Sequence, residues 1–142
     1  MKTLKTALAV ATLALAYPAA AQEVSQDEVN ATLGADPQLW AGLFQLAMAW
    51  DIDNNCDSIE PRRIAATSYI FGLYNQARAY GYSRRQIRTF QTADSTEARL
   101  RSEVGAYYEA NGVVEGDAET YCALGRAEMA AGSPAGQLMR TR

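Results

Sequence analysis

From residue 25 onward, apolar side chains recur every three to four positions, and no stretch alternates β-branched and polar residues as a strand would. Short groups of Ser, Asp, Pro and Gly interrupt this pattern where helices would begin and end. These interruptions predict helices that start at Ser25, Asp36, Pro61, Ser83, Asp94, Asp117 and Ser133. The pattern therefore predicts an all-α fold, a small bundle of five to seven helices.

The second predicted helix is the candidate centre of the bundle. Between Leu39 and Trp50 its only polar side chain is Gln45, so apolar residues cover most of its circumference. A helix that is apolar on all sides is normally buried. We therefore expect this helix to lie at the centre of the domain.

The third predicted helix covers about residues 61–80. Its apolar positions at helical spacing are Ile64, Phe71, Tyr74 and Ala77. Gly72 and the nearby alanines have little or no side chain, which favours the close approach of another helix. We therefore expect a neighbouring helix to cover this face.

The beginning of the chain has a different character. Lys2 and Lys5 give it a basic start, residues 7–16 are almost entirely apolar, and a run of alanines follows. This arrangement predicts a secretory signal peptide over residues 1–21. Its apolar stretch of about ten residues is shorter than the roughly 20 that a membrane span needs. We expect one helical domain, residues 22–142, outside the cytoplasm and without a transmembrane segment.

Cys56 and Cys122 are the only cysteines, and a pair in an exported chain indicates one structural disulfide. They are 66 positions apart, so chain entropy gives the bond a stabilising effect of about 4 kcal/mol. The alternative is a redox-active pair. The sequence disfavours it, because the spacing is not Cys-x-x-Cys and neither cysteine has a basic neighbour.

The composition of residues 22–142 excludes several kinds of chemistry. This part has 11 Arg, 16 acidic residues and neither Lys nor His, for a net charge of 11 − 16 = −5. Without His or Lys there is no His general base, Ser-His-Asp triad, Schiff base, phosphate-loop lysine or His-ligated zinc. We predict no cofactor, no metal ligand and no catalytic residue.

Charge is distributed unevenly along the chain. Residues 22–60 carry eight acids and no base, residues 61–101 carry eight Arg and two acids, and the remainder carries three Arg and six acids. One interpretation is internal: acidic and basic helices face one another and their charged sides are solvated. The other is a partner-binding patch, called the Arg/Tyr surface below, made of Arg78, Tyr80, Tyr82, Arg84, Arg85 and Arg88.

Arg and Tyr are common at protein interfaces, and Arg binds carboxylate or phosphate through two parallel hydrogen bonds. The Arg/Tyr surface therefore predicts an anionic partner: an acidic envelope protein, an anionic lipid headgroup or an acidic glycan. Nucleic acid fits less well, because the total charge is acidic and the chain is expected to be exported.

Carboxylates at the end of the second helix raise two further alternatives. The pool consists of Asp51, Asp53, Asp57 and Glu60. With Asn55, three of these acids alternate like the start of a calcium loop, but Cys56 occupies the position of the turn glycine and Arg62 that of the bidentate Glu. A pair from the pool could also hydrolyse a glycan, provided that its separation and pKa values suit.

Three stretches carry a family resemblance: residues 54–56 (NNC), 77–83 (ARAYGYS) and 121–128 (YCALGRAE), with residues 132–140 similar as well. They resemble a domain-of-unknown-function family of short exported alphaproteobacterial proteins. The resemblance implies a periplasmic helical domain with two paired cysteines, and it implies no activity, ligand or catalytic residue.

The sequence thus predicts a non-catalytic periplasmic helical protein that binds another envelope component through the Arg/Tyr surface. A small acid-stress chaperone is the alternative among binding proteins, since the domain is exported, helical and held by one disulfide. Because the chain has no His, such a switch would depend on carboxylates. The alternative of another class is a carboxylate-based hydrolase that acts on envelope glycans.

Overall fold

Seven helices and one two-stranded sheet make up residues 23–142, the part of the chain that the computed structural model describes. The signal peptide predicted for residues 1–21 lies outside the described residues. The helices are α1 (Gln26–Ala35), α2 (Pro37–Asn55), α3 (Arg63–Arg78), α4 (Arg84–Gln91), α5 (Asp94–Ala110), α6 (Ala118–Ala131) and α7 (Pro134–Gln137). Strands β1 (Ile59–Pro61) and β2 (Met139–Thr141) pair antiparallel. The predicted all-α class is confirmed.

Most helices begin where the capping residues predict. The side chains of Ser25, Asp36, Ser83, Asp117 and Ser133 each accept a backbone N–H from the first turn of the helix that follows. Such a bond satisfies a donor that has no partner within its own helix. Two starts differ: Pro61 lies in β1, so that α3 begins at Arg63, and Ala93 rather than Asp94 occupies the N-cap of α5.

Helix α2 is the centre of the domain, as its composition predicts. Its first half, with Leu39 and Trp40, packs in a cluster with α1, α3 and α4. Its second half, with Met48 and Ile52, packs in another cluster with α5, α6, α7 and the sheet. Two positions in its apolar stretch depart from the expected burial, since Ala41 is exposed and 68% of Trp50 is exposed.

The disulfide and the sheet fasten the two ends of the fold. Cys56 at the end of α2 is bonded to Cys122 in α6, with 5.2 Å between their Cα atoms. Three residues later in each segment, Ile59 and Gly125 also meet: a Cβ at Gly125 would lie 2.4 Å from the Ile59 Cδ1. The predicted disulfide is confirmed, and Gly125 lets α6 approach β1 closely.

The outer face of α3 is not covered by a neighbouring helix, so that prediction is wrong. Of the four apolar positions only Ala77 is buried, while Ile64 and Phe71 are exposed and Tyr74 is half-buried. No atom lies within 4 Å of a Cβ placed at Gly72. Helix α3 packs on α2 along its other side, which leaves apolar side chains facing outward.

Candidate functional site

Of the eleven arginines of the described chain, four pair with a carboxylate, and the other seven are Arg101 and the six of residues 61–93. Within residues 23–142, four arginine–carboxylate pairs form: Arg99–Glu103, Arg126–Glu119, Arg140–Glu60 and Arg142–Asp53. None of these pairs includes any of the six arginines of residues 61–93, a stretch without Asp or Glu. The acidic and basic segments therefore do not neutralise one another through α3 and α4.

The Arg/Tyr surface is assembled where the end of α3 meets the start of α4. The Arg78 guanidinium donates to the Tyr74 hydroxyl at 3.4 Å, and its centre lies 6.0 Å from the Tyr74 ring. Arg84, from the next helix, also approaches this hydroxyl. The hydrogen bond from Arg78 is the largest cause that lowers the pKa of Tyr74 below its ordinary value, and the nearby Arg84 guanidinium lowers it further. Two cations from two helices thus converge on one phenol oxygen.

Helix α4 presents its arginines to solvent because its opposite face is buried. Ile87 and Phe90 lie in the core, while Arg84, Arg85 and Arg88 are exposed. Arg84 and Arg85 are the first two residues of the helix. Cations are disfavoured there, because the N-terminal end of a helix carries partial positive charge.

The two tyrosines of the Arg/Tyr surface already have partners within the chain. Their rings stack on each other, with centroids 6.0 Å apart and an interplanar angle of 11°. The Tyr80 hydroxyl donates to the Asp36 carboxylate at 2.8 Å, and this bond raises the pKa of Tyr80. Tyr80 and Tyr82 therefore hold the loop before α4 against the start of α2, which fixes the position of the neighbouring arginines.

Three of the four carboxylates in the pool at the end of α2 make structural contacts, and the fourth, Asp57, is exposed. Asp53 pairs with Arg142 at 3.0 Å, and Glu60 pairs with Arg140. The Asp51 carboxylate accepts from the Asn55 side-chain amide. In the described part of the chain, no group of three or more His, Cys, Asp or Glu side chains could hold a metal ion. These contacts fasten the carboxyl-terminal strand to α2 and β1.

A separate groove of about 950 Å³ runs between α2, α5 and the loop after α5. Its apolar lining includes the exposed Trp50 together with Leu100 and Val114. Acidic residues line it as well, among them Glu97 and Glu109. The groove contains none of the Arg/Tyr surface.

Two features of the site could not be assigned from the sequence. Tyr74 has the spacing of a core residue, but its hydroxyl lies at the centre of the arginine cluster. The apolar face of α3 that continues from Arg78 has the spacing of a buried face and is exposed. One sequence feature relates to both. Residues 61–93 contain no carboxylate, so their arginines have no acidic partner nearby in the chain.

The fold and its surface define a small disulfide-bonded all-α domain with an exposed arginine cluster. None of its described helices is long and apolar enough to cross a membrane. The chain belongs to DUF5333, a family of unknown function, which matches residues 31–140. No curated protein and no solved structure matches it. The predicted membership of a family of unknown function is therefore confirmed.

Proposed function

We propose that the chain is a non-catalytic periplasmic protein that binds an anionic component of the cell envelope through the Arg/Tyr surface. The observation that carries this proposal is the set of six arginines in residues 61–93 that have no carboxylate partner among residues 23–142. Guanidinium groups bind carboxylate and phosphate in preference to remaining unpaired next to one another. An acidic protein, a lipid headgroup or an acidic glycan offers such groups.

The local geometry favours binding of an anion. Arg78 and Arg84 converge on the Tyr74 hydroxyl, which gives three hydrogen-bond donors in one place. Arg84 and Arg85 stand at the unfavourable end of the α4 dipole, and an anion bound between them would offset their repulsion. The Tyr80–Asp36 hydrogen bond fixes the loop, so little ordering is needed on binding.

Export to the periplasm is supported by the signal-peptide pattern of residues 1–21 and by the disulfide, a bond typical of oxidising compartments. The test is fractionation of cells that express the full chain, followed by intact mass measurement. We expect the periplasmic form to have lost residues 1–21 and to contain no free thiol. A full-length chain in the cytoplasmic fraction would contradict this part of the proposal.

Binding is tested in intact cells with a photo-crosslinking residue in place of Arg85, and with the same residue in place of the exposed Ala123 of α6 as the control. We expect adducts from position 85 and none from position 123. The adduct should disappear when Arg84→Gln and Arg88→Gln are added, and persist with Arg126→Gln, which removes an arginine already paired with Glu119. Adducts that are absent, or that do not depend on Arg84 and Arg88, would overturn the proposal.

A further inference from the structure

Helix α3 carries a ridge of exposed apolar side chains, called the α3 ridge below. It consists of Ile64, which is 89% exposed, Phe71, which is 60% exposed, and Ile70, which is 48% exposed. Scattered apolar residues are common on protein surfaces, but three on one helix within two turns form a continuous patch. Such a patch indicates a surface that something covers.

The α3 ridge is continuous with the Arg/Tyr surface. Ile64, Phe71 and Arg78 are seven residues apart in turn, which places them along one side of the helix. At the end of this line, Arg78 meets Arg84 of α4 at the Tyr74 hydroxyl. At its beginning stand Arg62 and Arg63, both exposed. Exposed apolar side chains next to arginines combine the two contributions to binding at a membrane surface, buried apolar area and attraction to anionic lipids.

We propose that the α3 ridge and the Arg/Tyr surface together dock on an anionic lipid bilayer. The α3 ridge enters the boundary between headgroups and acyl chains, and the surrounding arginines bind lipid phosphates. This proposal rests on the proposed function and names the partner as lipid.

Charge and shape both favour lipid as the occupant. Residues 61–93 contain six arginines and no acid, and these arginines flank the ridge at both ends, where they complement an anionic leaflet. The side chains of the ridge protrude into solvent, since Ile64, Ile70 and Phe71 are all exposed. A bilayer deforms around protruding side chains, whereas a folded protein needs a groove of matching shape.

The test is sedimentation of the mature protein with vesicles of equal parts phosphatidylglycerol and phosphatidylcholine, compared with vesicles of phosphatidylcholine alone. We expect binding to the anionic vesicles at low salt that weakens as salt is added, and at least about tenfold weaker binding to the neutral ones. Replacing both Arg84 and Arg88 by Gln should weaken binding about tenfold or more.

Insertion of the ridge is tested separately from charge. The double variant Ile64→Ser and Phe71→Ser should lose binding to anionic vesicles although all arginines remain. Trp50→Ser is the matched control, since it removes an apolar side chain of similar exposure from a different helix, α2. In a Trp50→Phe background, which retains only the buried Trp40, the emission added by Phe71→Trp should shift to shorter wavelength when anionic vesicles are added. All these side chains are exposed, so urea unfolding curves should stay close to the parent's.

Three results would overturn the lipid proposal. One is the absence of vesicle binding at low salt, and another is binding that the ridge variants do not change. The third is a dimer in solution that Phe71→Ser dissociates, which would assign the ridge to a second copy of the chain. If the protein does not bind vesicles while the crosslink from position 85 identifies an acidic protein or a glycan, the proposed function stands and the choice of lipid is wrong.

Discussion

The Tyr80 hydroxyl donates a 2.8 Å hydrogen bond to the Asp36 carboxylate, the group that also caps α2. The same carboxylate accepts from the backbone N–H groups of Gln38 and Leu39 and from the side-chain amide of Gln76. One carboxylate thus joins the start of α2, the end of α3 and the loop before α4. The Arg/Tyr surface depends on this junction, because Tyr80 stands between Arg78 and the arginines of α4.

Loss of the Asp36 side chain should weaken the whole junction. We expect Asp36→Ala to lower the free energy of unfolding by about 1 kcal/mol, since an N-cap carboxylate supplies partners for otherwise unpaired donors. Asp36→Asn, which still accepts hydrogen bonds at the cap, should cost less. Urea unfolding at neutral pH measures both, with Glu109→Ala on the exposed side of α5 as the control. Equal losses of stability in the two variants would show that the hydrogen bonds at the cap are not the source of the loss.

The same carboxylate gives a pH dependence of known sign. The backbone hydrogen bond from Leu39 is the largest of the contacts that hold the pKa of Asp36 below its ordinary value. A carboxyl whose folded pKa is depressed stabilises the fold above its unfolded pKa, near pH 4, and loses that effect as pH falls through the folded pKa. Asp36→Asn should therefore have a flatter loss of stability as the pH falls below about 4. Parallel curves for the two proteins would contradict this assignment.

Two glycines in similar helices should respond to alanine in opposite directions. At Gly125 in α6, a Cβ would lie 2.4 Å from the Ile59 Cδ1 and 2.9 Å from the Ile52 Cγ2, and both isoleucines are buried. Overpacking of this kind costs about 1–3 kcal/mol. At Gly105 in α5 nothing lies within 4 Å, so Ala should stabilise the helix by about 0.5–1 kcal/mol. Thermal or urea unfolding of the two variants side by side tests both signs.

The disulfide should account for a large part of the stability of this small domain. It closes a loop of 66 positions, for which chain entropy gives about 4 kcal/mol. The variant Cys56→Ala with Cys122→Ala should therefore unfold at much lower urea than the oxidised parent, and the parent should shift likewise under a reducing agent. A difference below about 1 kcal/mol would show that the reduced chain retains the loop contacts when unfolded.

Local rules explain why much of this fold is predictable from the sequence. Asp36 followed by Pro37 satisfies two requirements of a helix start at once, and Ser83 with Gln86 forms a complete capping box. The apolar circumference of α2 favours a central position in the fold, although its neighbours leave Trp50 exposed. The pairing of Cys56 with Cys122 follows from their being the only two cysteines.

Features that depend on distant partners are not predictable in this way. Strand β2 (Met139–Thr141) forms because the fold brings β1 beside it. Its own sequence predicts only the end of the last helix. Glu128 is only 7% exposed, and its carboxylate accepts a hydrogen bond there from the Tyr107 hydroxyl of α5. That partner lies 21 positions away in the sequence. Ile64 and Phe71 are likewise exposed because no described helix packs over them. A helical apolar period does not show whether another helix is present to cover that face.

Binding of an apolar dye separates a membrane-docking ridge from an acid-activated chaperone. The α3 ridge is exposed in the folded state, so 1-anilinonaphthalene-8-sulfonate should fluoresce with the protein at neutral pH. The arginines of the neighbouring Arg/Tyr surface should favour this anionic dye. Ile64→Ser with Phe71→Ser should remove most of the signal, and Trp50→Ser should remove less, since Trp50 lies in a separate groove with acidic lining.

An acid-activated chaperone would give a different profile, because its apolar surface appears only when carboxylates become protonated. Asp36 is the carboxyl whose contacts join α2, α3 and the loop before α4, and its lowered pKa keeps it charged to lower pH than an ordinary carboxyl. The dye signal should therefore be present at pH 7 and nearly constant to about pH 4. A signal that is absent at pH 7, rises on acidification and is indifferent to Ile64 and Phe71 would favour the chaperone and remove the physical basis for docking through α3.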